Sequence, residues 1–153
     1  MTPKKQKLKS KKMIDLLNYP EVQSWRAIMQ AYQQIYRFLE TELLKADCSI
    51  PRFQIFFYLY FQGPISSIDL ANLMNVTRGN ISTFLSRLIA DELVYLSSGH
   101  GRGSKQFIHL SDRGIDLFES FFPAHIQRVI SVAPKLSKSS LKSLNQVRIP
   151  DQL

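Results

Sequence analysis

The residues whose types and spacing could do chemistry lie in the run TRGNISTFLSRLIADE, from Thr77 to Glu92. On a helical wheel of about 100° per residue, Leu85 and Leu88 fall within about 40° of Ile81, with Phe84 beside them. Gly79, Ser82, Thr83, Ser86 and Arg87 fall on the far side, with Arg78 at one edge and Asn80 on the other flank. That side carries hydroxyls, an amide and guanidinium groups but no carboxylate; Asp91 and Glu92 come only at its C-terminal end. An ordinary solvated face mixes acids with bases. A face that meets phosphates and base edges excludes acids, because each would repel the nucleic-acid backbone. Thr77 is a good N-cap, and the helix start behind it offers free N–H groups and partial positive charge to a phosphate. Thr77, Arg78, Asn80, Ser82, Thr83, Ser86 and Arg87 are therefore the candidate DNA contacts. A plain solvated helix is the competing reading.

Other chemistries find less support. The three histidines, His100, His109 and His125, show no ligand-like spacing, and there is no CxxC or HExxH motif, so no metal or other cofactor is expected. Cys48 is the one cysteine. It precedes a proline-started helix, where a thiolate could be stabilised, but a lone cysteine is more often a small buried residue than a nucleophile or redox sensor. Gly-His-Gly-Arg-Gly at 99–103 has glycines like a phosphate loop, yet it does not match GxxxxGK[ST] and no helix follows it. An enzyme is not expected.

The elements that must position the polar face read as follows. Glu21 to Ala46 is one long helix, with Trp25, Ile28, Tyr32, Ile35 and Leu39 on a stripe that packs on its own core or on a second subunit. Pro51 starts a helix to about Gln62 that is apolar nearly all round; a buried strand competes there. Ser66-Ser67-Ile68-Asp69 has a capping-box pattern opening a short helix through Leu70, Leu73 and Met74. Asn75-Val76 then forms the turn to the Thr77 helix, a helix-turn-helix signal. Leu93–Leu96 and Lys105–Leu110 read as strands of a hairpin around the turn 97–104, which carries three glycines. A hairpin directly after a helix-turn-helix is a wing. Its tip offers Arg102, with Lys105 at its base, to a minor groove or the backbone. Ser111 caps a helix that Pro123 should kink, and Ser137 caps a last helix with Leu141, Leu144 and Val147.

The chain has 153 residues and a net charge of +8. Lys4, Lys5, Lys7, Lys9, Lys11 and Lys12 supply much of it, leaving 14 basic against 12 acidic groups, +2, in the remainder. Residues 1–20 are expected to be a basic, disordered tail, with a DNA-contacting arm as the alternative. Asp15, Asn18, Tyr19, Pro20 and Glu21 interrupt any apolar leader, and the longest apolar run, Ile55 to Phe61, is too short to span a bilayer. The expectation is a cytoplasmic protein with no membrane partner.

In order, "SSIDLANLMNVTRGNISTFLSRLIADELV" and "FIHLSDRG" resemble the winged-helix core of MarR-type transcriptional regulators, and "FFPAHI" is similar to a recurrent string in the helix that follows. The sequence has Thr83 where the family often has Arg or Gly, Glu92 where it has Gly, and no wing Asp-Arg pair, so Arg102 takes the wing role by position. The resemblance implies a mainly α fold with a small β-hairpin wing: a winged helix-turn-helix core at 50–110 within a single domain at 21–153. It implies dimerisation helices at 21–46 and 112–149. It further implies a homodimer that binds double-stranded DNA at a pseudo-palindromic operator, acts as a repressor, and is released by a small aromatic or anionic effector, for which no residues are assigned. A winged-helix protein-interaction module that has lost DNA binding is the alternative.

Overall fold

The computed structural model describes residues 11–98 and 106–147. In chain order the elements are α1 (Lys11–Asp15), a 3-10 turn (Leu16–Asn18), α2 (Pro20–Leu44), α3 (Ile50–Gln62), β1 (Ile65–Ser66), α4 (Ser67–Met74), α5 (Arg78–Ala90), β2 (Val94–Ser98), β3 (Gln106–Leu110), α6 (Asp112–Val132) and α7 (Lys138–Asn145). Hydroxyl N-caps fix five of the helix starts: Ser49, Ser66, Thr77, Ser111 and Ser137 each accept from the amide three residues on. Such a cap contributes about 1 kcal/mol. At Ser66 the motif is doubled, because its hydroxyl also donates to the Asp69 carboxylate at 2.6 Å.

The disordered tail expected through residue 20 is corrected over 11–18, which are helical. Met13, Ile14, Leu16 and Leu17 follow the lysines and favour a helix over a solvated coil, and the Gln23 side-chain amide donates to the Leu17 carbonyl. Residues 1–10 of that tail lie outside the described residues. The strand alternative for the aromatic segment gives way to α3, capped by Ser49 and closed by Gly63 at φ 80°. Pro123 lies inside an α6 that continues through it to Val132, where the sequence suggested a kink. A third strand, β1, pairs with β3 in an antiparallel sheet of order β1-β3-β2. The wing strand β2 extends to Ser98, two residues beyond the expected end at Leu96. Glu92, where the resembling family has glycine, has φ 59°, so the conformation that favours glycine is present with a larger residue in it.

The core gathers Leu43, Ile55, Phe56, Leu59, Leu70, Ile81, Leu85, Leu88, Ile108 and Phe118. At its upper side Phe53 of α3 meets Phe118, Phe121, Phe122 and His125 of α6, the His125 ring centroid only 4.1 Å away. Cys48 is 2% exposed, and burial, reinforced by Asp47 and opposed by Arg52, pushes its thiol up to about 12. Gly114 lets the first turn of α6 lie on the Leu93 carbonyl: a Cβ there would sit 2.1 Å from that oxygen.

Three outcomes follow. Gly114→Ala should cost about 1–3 kcal/mol or more, because backbone must yield; an unchanged denaturation midpoint would contradict the close approach. Cys48 should label with a disulfide reagent far more slowly in the native than in the unfolded protein, its thiolate fraction being reduced roughly a thousandfold. Rapid native labelling would count against the burial. Burial first, and Arg128 second, lower the His125 pKa below its ordinary 6.5, so folding favours the neutral ring. As pH falls through 6.5 the unfolded chain gains a proton that the folded chain resists, and stability declines until the folded-state value is passed. Denaturation measured from pH 7 downward should show that decline, and His125→Leu should flatten it; an undiminished decline in the variant would assign it elsewhere.

Candidate nucleic-acid interface

The turn between α4 and α5 is made by Asn75, left-handed at φ 51°, and by the Val76 amide donating to the Ala71 carbonyl at 3.0 Å. Asparagine tolerates this conformation, so the chain reverses in a short space. Thr77 then caps α5, accepting from the Asn80 amide at 3.3 Å. Ile81, Leu85 and Leu88 are 1%, 5% and 1% exposed, and their burial fixes the rotation of α5 about its own axis. Thr77, Arg78, Asn80, Ser82, Thr83, Ser86 and Arg87 consequently all lie exposed. The structure therefore brings these seven expected residues together on the solvent side of one helix. Arg102 and Lys105 lie outside the described residues.

The outward side has a definite polarity. Thr83 Oγ1 donates to the Gly79 carbonyl at 3.1 Å and Ser86 Oγ donates to the Ser82 carbonyl at 2.9 Å. With their protons turned into the helix, both hydroxyls present acceptor lone pairs outward, suited to the amino groups of cytosine or adenine. Arg78 and Asn80 stand in the first turn, where no acid occurs. Arg87 stands toward the flank, beside Phe84, where it borders a cavity of about 250 Å³ shared with Leu44, Asp47, Ser49, Arg52 and Leu88.

Behind α5 the wing is tied to the sheet. Tyr95 stacks on its cross-strand partner His109, with centroids 4.9 Å apart, and Ser97 Oγ lies 2.7 Å from His109 Nε2. The elbow joining α5 to β2 is held from two sides. Arg52 of α3 reaches Asp91, the C-cap of α5, at 3.1 Å, and Arg113 of α6 reaches Glu92 at 3.5 Å. Ser111 Oγ donates to the Glu92 carbonyl at 2.7 Å. Arg52 and Asp91 escaped the sequence reading, because nothing in the pattern signals a pair so far apart in the chain. Among the described residues no group of three or more His, Cys, Asp or Glu side chains could hold a metal, and no helix is long and apolar enough to cross a membrane.

Comparison with known proteins agrees with this geometry. The profile of the MarR family matches residues 48–99. No curated protein sequence matches the chain. Among solved structures, AbsC, a MarR family transcriptional regulator from Streptomyces coelicolor, is 19% identical with a TM-score of 0.75, over 85% of this chain and 90% of that one. BpsR of Bordetella bronchiseptica, whose DNA binding is regulated by 6-hydroxynicotinic acid, is 20% identical with a TM-score of 0.68, over 80% and 93%. A MarR variant from E. coli complexed with operator DNA is 18% identical with a TM-score of 0.68, over 85% and 93%. Residues 48–99 thus match the model of the MarR family, and most of the chain takes the winged-helix fold seen in these structures.

Proposed function

We propose that the protein is a homodimeric, sequence-specific DNA-binding transcriptional regulator, acting as a repressor on a pseudo-palindromic operator. The observation that carries this is the outward, acid-free side of α5, held in that orientation by Ile81, Leu85 and Leu88. Asn80, Ser82, Thr83 and Ser86 are assigned to base edges in the major groove. Arg78, Arg87 and the amides behind Thr77 are assigned to flanking phosphates, and Arg102 with Lys105 to the adjacent minor groove or backbone. Similarity of fold to BpsR and to a DNA-bound MarR supports the reading.

A second copy is invoked by apolar surface that the single chain leaves open. Trp25, Ile28 and Tyr32 on α2 are 62%, 46% and 57% exposed. The last helix, α7, buries no residue, and Leu136, Leu141 and Leu144 are exposed. Exposed apolar surface of this extent marks an interface. Two-fold pairing of these helices gives the two copies of α5 that a pseudo-palindrome requires. Release by a small aromatic or anionic molecule belongs to the same proposal, supported by the 6-hydroxynicotinic acid regulation of BpsR.

Gel-shift titrations over a range of salt should show affinity falling with a log–log slope of about −0.9 per phosphate neutralised. Arg87→Ala should weaken binding similarly across sequences and, with two copies per operator, reduce the magnitude of that slope by about two. Asn80→Ala should cost about 1–3 kcal/mol and relax sequence preference. No duplex binding, or a flat salt response, would overturn the proposal, and co-purification of a protein in place of nucleic acid would return the chain to the interaction-module reading.

A further inference from the structure

We propose that Arg52 and Asp91 form a strut that sets how the recognition helix is presented, acting as positioning residues for DNA binding without touching DNA. This inference rests on the DNA-binding reading above. Its motive is that both charges sit at the wrong end of their helices. Arg52 lies in the first turn of α3, where the helix carries partial positive charge, and Asp91 caps the C-terminal end of α5, where it carries partial negative charge. Asp91 is also a carboxylate at the edge of a face that otherwise excludes acids. Taken singly, each placement is unfavourable; taken together, the two form an ion pair of 3.1 Å between Arg52 Nη2 and Asp91 Oδ2.

The surroundings make that pair a mechanical link. Among the described residues no hydrogen bond joins α3 to α5, so this pair is the direct polar connection between the two helices. The Arg52 side chain is 21% exposed with its Nε enclosed and unpartnered, so its Nη2 reaches out from the core side to an Asp91 carboxylate that is 47% exposed. Asp91 is followed by Glu92, at φ 59°, whose carbonyl accepts from the Ser111 hydroxyl that caps α6, while its exposed carboxylate lies 3.5 Å from Arg113 of α6. On the other side, Arg52 follows the Ser49 cap and the left-handed Asp47 that joins α2 to α3. The end of α5 is thus clamped between the element leading to α2 and the element beginning α6. On the proposed reading α2 engages the second copy directly, and α6 leads into α7, which does so as well.

The strut and a simple charge effect predict opposite signs for one substitution. Asp91→Asn removes a negative charge close to the DNA face, so electrostatics alone would tighten binding to any duplex. The strut requires the reverse for specific binding. Full-length wild type, Asp91→Asn, Asp91→Glu, Arg52→Gln and the exchanged pair Arg52→Asp with Asp91→Arg would be titrated against two probes. One is a mixed-sequence duplex and the other the tightest duplex selected from a random library. Asp91→Asn should lose about tenfold on the selected duplex while holding or gaining affinity on the mixed one. Arg52→Gln should lose affinity on the selected duplex too, Asp91→Glu should stay close to wild type there, and the exchanged pair should recover most of the loss. Amide exchange in the last turn of α5, measured without DNA, should quicken in Asp91→Asn and slow again in Asp91→Glu. Unchanged or tighter binding of Asp91→Asn to the selected duplex would overturn the strut. If wild type binds neither duplex, the DNA-binding reading fails separately, and unchanged amide exchange in Asp91→Asn would then dispose of the strut on its own.

Discussion

The burial of three side chains, Ile81, Leu85 and Leu88, is the constraint on which the rest of the molecule turns. Each buried aliphatic side chain contributes about 1.5–3 kcal/mol. Rolling α5 by one residue would bring Ser82 and Ser86 inward and Leu85 and Leu88 into solvent. The hydrophobic core therefore chooses which side of the helix faces out, and that side is the one without acids. Charge and hydrogen bonding act on a surface whose orientation has already been decided by packing.

A second layer of interactions couples this helix to the long ones. Phe53 stands among the aromatic side chains of α6, so α3 and α6 share one packed seam. Charged groups ring the same junction: Glu42 of α2 forms an ion pair with Arg128 of α6 at 3.3 Å, and Arg52 meets Asp91 at 3.1 Å. The winged-helix core is consequently anchored to α2, which leaves apolar surface unpartnered, and to α6, which leads into α7. On the proposed reading, a change in how two copies pair would pass to both copies of α5 through this junction.

Much of this was legible in the sequence, for local reasons. The hydroxyl caps at Ser66, Thr77, Ser111 and Ser137 are read from residue type and spacing, and they fall where the helices begin. The stripe of Ile81, Leu85 and Leu88 announces its own burial. What escaped depends on partners distant in the chain. β1 is two residues long and exists by pairing with β3, which no local pattern reveals. The contact of Gly114 with Leu93 and the pairing of Arg52 with Asp91 are properties of the assembled junction. At 11–18 the lysine count outweighed four apolar residues that the structure places in helical turns. The stripe on α2 divides in the structure: Trp25, Ile28 and Tyr32 stay exposed, while the C-terminal end of that helix enters the core at Leu43.

The most direct test of the central claim is a footprint of the full-length protein on the duplex it selects from a random library. Two symmetric protected half-sites should appear, centred about one helical turn apart, as two copies of one outward helix require. A single protected patch without symmetry, or protection indifferent to sequence, would contradict it.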